Sequence, residues 1–284
     1  MTGVGSAPEA VVAVLGLGLV DADKPVIRAD DAGVTRGDGC FEGCRVRDGA
    51  VDKLDAHLTR MRRSAAALEI PFDEPAWRAL IDEAVSAWPH PGEAAMKLLL
   101  TRGPVGDRPH GFVSIGPLPA AYPRQRRDGL RIVTLARGTS ADAFADAPWL
   151  LGGVKSLSYA INMAAQREAA RRGADDVIFV STEGAVLEAP TGSVVWSIGR
   201  TLHTTPLGPT GILAGTTQQL LFERAEAAGW QVSATRATVD DLHAADVLWL
   251  IGSVRGPIDV VELDGKSRTR RPEVDAEIRR LAGF

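Results

Sequence analysis

The chain has 284 residues, 45% of them apolar and 24% charged, with a formal net charge of −4 at pH 7. That balance is ordinary for a folded globular protein of one large or two medium domains, and a weakly acidic chain presents no field that would draw in nucleic acid or an anionic membrane. The two cysteines, Cys40 and Cys44, are too few for a disulfide framework or a four-ligand zinc site. They read as buried free thiols of a cytoplasmic protein, and no metal is expected.

Near the N-terminus, residues 11–20 are apolar but are preceded by no Lys or Arg and are too short to span a bilayer, so a signal or membrane segment is not expected there. Residues 10–27 read instead as a strand pair broken by glycines. Residues 40–47 alternate like a strand, and Asp48-Gly49 is a tight-hairpin signal leading into residues 51–54. Asp55 is the expected cap of a helix over 56–68, with Leu58, Met61, Ala65 and Leu68 on one face and His57, Arg60 and Ser64 along another stripe. A second helix is predicted over 74–88, with strands over 94–102 and 112–115. Residues 116–125 hold three prolines and a glycine, which marks a domain boundary. The predicted organisation is a smaller α/β domain over 1–119, a linker over 120–126, and a larger domain over 127–284.

In the second domain, a strand over 130–136 precedes the segment Gly152-Gly-Val-Lys155-Ser-Leu-Ser-Tyr159. Ser156 or Ser158 is the expected cap of a helix running to Arg172 and stopped by Gly173. Residues 176–181 and 185–188 read as a hairpin, followed by strands over 194–196 and 202–204. A helix opened by 211–217 runs through Ala228, and a last strand covers 247–251.

Three features carry chemistry. The chain has only five lysines among 32 basic residues, and Lys155 stands among apolar and glycine positions directly before a helix. Burial disfavours an ammonium, and a neutral amine can attack a carbonyl to form a Schiff base. Gly215-Thr216-Thr217 at a helix start offers free N–H groups, two hydroxyls and the positive end of the helix dipole, an anion site without the lysine of a nucleotide-binding loop. Glu188 ends an apolar strand, where a carboxylate needs a cationic or N–H partner. Each has a plainer reading: a snorkelling lysine, a simple helix cap, a solvated strand end. Together they supply what pyridoxal phosphate requires, namely an amine, an anion cup and a counter-ion for the ring nitrogen.

At this point the sequence resembles the fold-type IV pyridoxal-phosphate enzymes, which comprise branched-chain and D-amino-acid aminotransferases and aminodeoxychorismate lyase. The resemblance runs from about Arg28 to Asp264. It is carried by Arg36-Gly-Asp-Gly-Cys-Phe-Glu-Gly-Cys-Arg-Val-Arg-Asp-Gly49, by His57-Leu-Thr-Arg60, by Lys155-Ser-Leu-Ser-Tyr-Ala-Ile-Asn162, by Leu187-Glu188-Ala-Pro-Thr-Gly-Ser193 and by Ile212-Leu-Ala-Gly-Thr216-Thr217. It implies an α/β (α+β) two-domain fold with the cofactor in the interdomain cleft, pyridoxal 5′-phosphate as cofactor, and a homodimer. By the same resemblance Lys155 is the catalytic lysine, Arg60, Thr216 and Thr217 bind the phosphate, Glu188 meets the pyridine nitrogen, and Ser193 lies among the cofactor contacts. Ala189 and Pro190 depart from the usual Gly and Ser or Thr, and Ser193 stands where many members carry asparagine.

The resemblance to actinobacterial members implies a lyase that expels pyruvate from 4-amino-4-deoxychorismate to give 4-aminobenzoate. Against it, Phe41-Glu42-Gly43 followed by Arg45 is similar to branched-chain aminotransferases, so transamination of D- or branched-chain amino acids stays open. A non-catalytic binding protein on the same fold is the third reading. In every enzymatic reading the substrate is a small amine bearing a carboxylate, and Arg45 or Arg102 is the expected clamp for it, since a guanidinium binds a carboxylate bidentately.

Overall fold

The computed structural model describes residues 9–284. They divide into two compact units: the residues up to Pro119 together with Val154–Ser158, and Ala120–Gly153 with Tyr159–Phe284.

The first unit is built on a six-stranded antiparallel sheet. In chain order its elements are β1 (Val11–Val14), β2 (Gly18–Val20), α1 (Ala32–Arg36), β3 (Gly39–Arg47), β4 (Ala50–Val51), α2 (Leu54–Ala67), α3 (Glu74–Ala87), β5 (Glu93–Thr101) and β6 (His110–Pro117), and the sheet order is β2-β1-β6-β5-β3-β4. Gly16 and Gly18 in the β1–β2 turn and Gly49 after Asp48 adopt positive φ, the backbone state that tight turns demand and glycine supplies. Helices α2 and α3 bury Leu58, Met61 and Ala65, and Trp77, Ile81 and Ala84, against Met96, Leu98, Val113 and Ile115 of the sheet. Burial of each large apolar side chain contributes roughly 1.5–3 kcal/mol.

Helix α2 starts two residues earlier than its sequence pattern suggests. Lys53, in the left-handed region, precedes it without a side-chain cap, and Asp55 sits in the first turn, where it accepts from Arg78 Nη2 at 2.6 Å. The acidic residue complements the helix dipole and ties α2 to α3 in place of capping.

The second unit comprises α4 (Ala121–Asp128), β7 (Leu130–Ala136), a 3-10 turn over Pro148–Leu150, α5 (Ala160–Arg171), β8 (Asp176–Val180), β9 (Ser193–Ile198), β10 (Thr201–Thr204), α6 (Thr216–Ala227), β11 (Gln231–Ala234), α7 (Val239–Ala244), β12 (Val247–Gly252), β13 (Gly256–Leu263), β14 (Lys266–Ser267) and α8 (Pro272–Leu281). Its mixed sheet runs β11-β10-β9-β12-β13-β7-β8, with β14 paired to β13. One face carries Ile178, Trp196, Leu248, Leu250 and Ile258; the other carries Val195, Trp249 and Ile251 under α6 and α8. Alternation along β9 and β12 serves both cores, which is why these strands read as continuous apolar runs.

Three differences from expectation stand out. Of residues 120–126, predicted as a linker, Ala120 precedes helix α4 as its N-cap and 121–126 lie in it, with Pro123 within the first turn, where it is tolerated. The predicted larger domain does not hold its lysine: Val154–Ser158 groups with the first unit. Its backbone pairs with β3, with Phe41 N donating to Lys155 O at 3.0 Å and Leu157 N to Gly39 O at 2.9 Å. Helix α5 accordingly begins only at Ala160, after Tyr159 and with no side-chain cap: Ser156 is bridged to Cys40 of β3, and Ser158 Oγ donates to the Gly37 carbonyl at 3.4 Å. No helix of the described residues is long and apolar enough to cross a membrane.

Candidate functional site

In the first unit the groups of interest lie where helix α2 faces β3. Glu42 of β3 is fully buried. Its Oε1 accepts from Arg60 Nε at 2.7 Å, and its Oε2 accepts from Arg60 Nη2 at 2.6 Å and from His57 Nδ1 at 2.7 Å. Burial alone would raise the carboxyl; the Arg60 charge and hydrogen bonds, with the His57 hydrogen bond, outweigh it and hold Glu42 down at about 2. His57 is pulled down by its own burial against the pull of Glu42, so it is a neutral ring donating Nδ1–H, not half of an ion pair.

The stripe of α2 that holds His57 and Arg60 continues one turn on to Ser64, whose Oγ accepts from Lys155 N at 3.1 Å. Lys155 Nζ stands 4.5 Å from the centroid of the Phe41 ring. The lysine is therefore held by α2 through its N–H, by β3 through its carbonyl, and by an aromatic face at its head. Cys40 and Cys44 are free, buried thiols of β3; burial, with the Glu42 charge adding, pushes Cys40 up to about 12 and Cys44 well above its usual range. Both are inert packing groups at neutral pH.

Both arginines expected to clamp a substrate carboxylate have partners within the chain. Arg45 is buried in β3, with Nε donating to Asp52 at 2.6 Å and Nη1 to Glu93 at 2.6 Å. Arg102 donates Nε to Asp38 at 2.6 Å and Nη2 to the Leu68 carbonyl at 2.6 Å, joining the end of α2 to the turn before β3. The carboxylates that these forks bind are the chain's own, two of them supplied by residues far away in sequence.

In the second unit, Glu188 leaves the turn after β8 with its carbonyl accepting from Phe179 N at 2.9 Å, and its Oε2 accepts from Leu213 N at 3.0 Å. Helix α6 starts at Thr216 with Gly215 as its cap residue, which has no side chain to offer as a cap. Gly215 has ordinary extended dihedrals, but a Cβ there would stand 2.3 Å from Ser193 Oγ; glycine is needed for room, not for conformation. Thr216 Oγ1 lies 2.9 Å and Thr217 Oγ1 3.4 Å from Ser253 Oγ. Within this unit the structure brings together Ser193, Thr216 and Thr217.

Ser253 was not among the sequence candidates. It belongs to the turn Gly252-Ser-Val-Arg-Gly256 between β12 and β13, whose glycines were its only signal. Arg126 donates to the carbonyls of Val254 and Arg255 at 2.8 and 2.9 Å, and Arg255 pairs with buried Asp176 at 2.8 Å, so the turn is fixed from two sides.

Residues 39–263 match the amino-transferase class IV family. A curated relative from Mycobacterium tuberculosis named bifunctional aminodeoxychorismate lyase / D-amino acid transaminase is 41% identical over 92% of this chain and 94% of its own. Among solved structures, the PLP-bound form of a hypothetical aminotransferase from Mycobacterium tuberculosis is 41% identical, with a TM-score of 0.92 over 96% of this chain and 98% of that one. A fold IV-transaminase from Curtobacterium pusillum is 39% identical, with a TM-score of 0.91 over 97% of each chain.

The chain belongs to the amino-transferase class IV family. Its fold is fold type IV, and it is an enzyme of a class that uses pyridoxal 5′-phosphate. The residues present fit that group. A helix start beside the hydroxyls of Thr216, Thr217 and Ser253 suits a phosphate, and a half-buried carboxylate that accepts from the Leu213 N–H suits a protonated ring nitrogen.

Proposed function

We propose that this enzyme is a 4-amino-4-deoxychorismate lyase, releasing pyruvate and 4-aminobenzoate for folate synthesis. The 41% identity along 92% of the chain to a relative named for that activity carries the reading. The same name supports transamination of D-amino acids as the second reading.

Lys155 is the catalytic residue in either case. Its head group would hold the cofactor and, as a free amine, would serve as the base that takes the proton from the carbon bearing the substrate nitrogen. The bound cofactor supplies an electron sink for the pair left behind. Glu188 would keep the proton on the ring nitrogen; Arg60 would bind the phosphate by its motif, and the hydroxyls that lie together in the second unit, those of Ser193, Thr216, Thr217 and Ser253, would suit the same group. Ser64 and Phe41 orient the lysine through its N–H, carbonyl and head group.

The protein acts in the cytoplasm as a homodimer on this reading. Large apolar side chains that stand exposed on the second unit, Trp149, Leu150, Ile161 and Met163, support a second copy. The free thiols Cys40 and Cys44 are in keeping with a reducing compartment.

The deciding experiment supplies the cofactor-loaded enzyme with aminodeoxychorismate generated in situ and follows 4-aminobenzoate and pyruvate together. Equal, catalytic formation of both, lost in Lys155→Ala, is the expected result. No 4-aminobenzoate, with D-alanine converting the cofactor to its amine form, would make the enzyme a transaminase.

A further inference from the structure

A buried glutamate in β3 is not needed for the chemistry just described, yet it is the most tightly engaged carboxylate among the groups around Lys155. Glu42 is fully buried, and both of its oxygens are spent on a single guanidinium edge, with a neutral histidine on Oε2. A buried ion pair is seldom retained for stability, because desolvation of the two charges offsets most of their attraction, and an apolar pair of similar volume would fill the same space. What a bidentate contact adds is direction: it fixes the plane of the guanidinium and its torsions.

We propose that Glu42 is a positioning residue that sets the orientation of Arg60, so that this arginine meets the cofactor phosphate in one fixed geometry relative to Lys155. The inference rests on the reading of Arg60 as a phosphate-binding residue. The relation to Lys155 follows from the stripe on α2: Arg60 is held to β3 by Glu42, Ser64 one turn later holds the Lys155 N–H, and Phe41, next to Glu42 in β3, holds the Lys155 carbonyl. A strand and a helix thus clamp the arginine and the lysine at once. His57 completes the arrangement by donating to Oε2, which keeps the carboxylate from rotating out of the plane of the fork.

The test compares how well the apoprotein binds pyridoxal phosphate and pyridoxal, two aldehydes that differ only in the phosphate, by titrating the absorbance of the bound aldehyde. The ratio of the two affinities reads phosphate recognition and is insensitive to a general loosening of the fold, which lowers both. Glu42→Asp keeps the charge and shortens its reach, while Glu42→Gln keeps the shape and removes the charge. Both are expected to lower the phosphate preference by about tenfold or more while pyridoxal affinity stays within about twofold.

A preference that is unchanged, or one that rises because Glu42 merely screens Arg60, overturns the proposal. So does a parallel fall in both affinities, or failure of both variants to accumulate as folded protein, since either outcome makes Glu42 a residue of the fold alone. Arg60→Gln, which removes the charge, separates the two layers of the argument. If it leaves the preference intact, the phosphate reading of Arg60 falls and this inference with it. If it abolishes the preference while Glu42→Asp does not, only the positioning role is lost.

Discussion

Lys155 Nζ lies 4.5 Å from the centroid of the Phe41 ring, while the Phe41 N–H donates to the Lys155 carbonyl at 3.0 Å. One residue of β3 therefore holds both the backbone and the head of the lysine. A cation over an aromatic face is worth about 0.5–2 kcal/mol, enough to favour one side-chain rotamer over its alternatives. Phe41→Leu keeps the backbone bond and most of the apolar contact but removes the ring face. The variant is expected to bind pyridoxal phosphate and to attach it to Lys155 several-fold more slowly, read by stopped-flow absorbance. An unchanged rate would reduce the ring to a packing surface.

Arg45 belongs to the fold. With its guanidinium buried between Asp52 and Glu93, Arg45→Met leaves two partly buried carboxylates facing each other without their cation. Breaking such a pair from one side costs about 3–5 kcal/mol. A large fall in the urea midpoint is expected, with the KM of whatever folded enzyme remains close to wild type. A KM raised many-fold at normal stability would restore Arg45 as a substrate clamp.

Gly215 is required for space. Gly215→Ala places a methyl group 2.3 Å from Ser193 Oγ, so either Ser193 rotates away or the start of α6 shifts. A weakening of pyridoxal phosphate binding by about tenfold or more is expected, because a phosphate cup depends on aligned N–H donors. In Gly215→Ala/Ser193→Gly, which clears the clash, binding recovers toward that of Ser193→Gly alone. No recovery would mean that the glycine matters through its backbone.

Acid sensitivity should start in the first unit. His57 is lowered from 6.5 by burial, so the unfolded chain binds its proton more readily and stability falls as the pH drops below about 6.5. Glu42 is held at about 2 against an ordinary 4.5, so its contribution is complete above about 4.5 and is lost as the pH falls from there toward 2. Urea midpoints measured from about pH 8 down to about pH 4 should decline in the wild type, and less steeply above pH 4.5 in His57→Gln. Parallel curves for the two proteins would place the acid-sensitive group elsewhere.

Much of this molecule is written in local pattern. The β3–β4 hairpin follows from Asp48-Gly49, the α2 core face from apolar residues three and four apart, and the start of α6 from Gly215-Thr-Thr. The ordered motifs around Arg60, Lys155, Glu188 and Thr216 pointed to the family before any contact was seen. Each of these signals lies within a few residues of its consequence, so the chain announces it by itself.

The remainder depends on partners distant in sequence. Ser156 and Ser158 look like helix caps until β3, more than a hundred residues earlier, takes their segment as a neighbouring strand. Arg45 and Arg102 look like ligand arginines until Asp52, Glu93 and Asp38 are seen to satisfy them. Glu42, one residue in a strand motif, shows its reach only when α2 folds across β3. Sequence by itself determined which groups the protein carries and the short elements that display them. Only the tertiary structure decided which charges are spent inside the fold, because a buried ion is stable only with its partner, and that partner is chosen by packing.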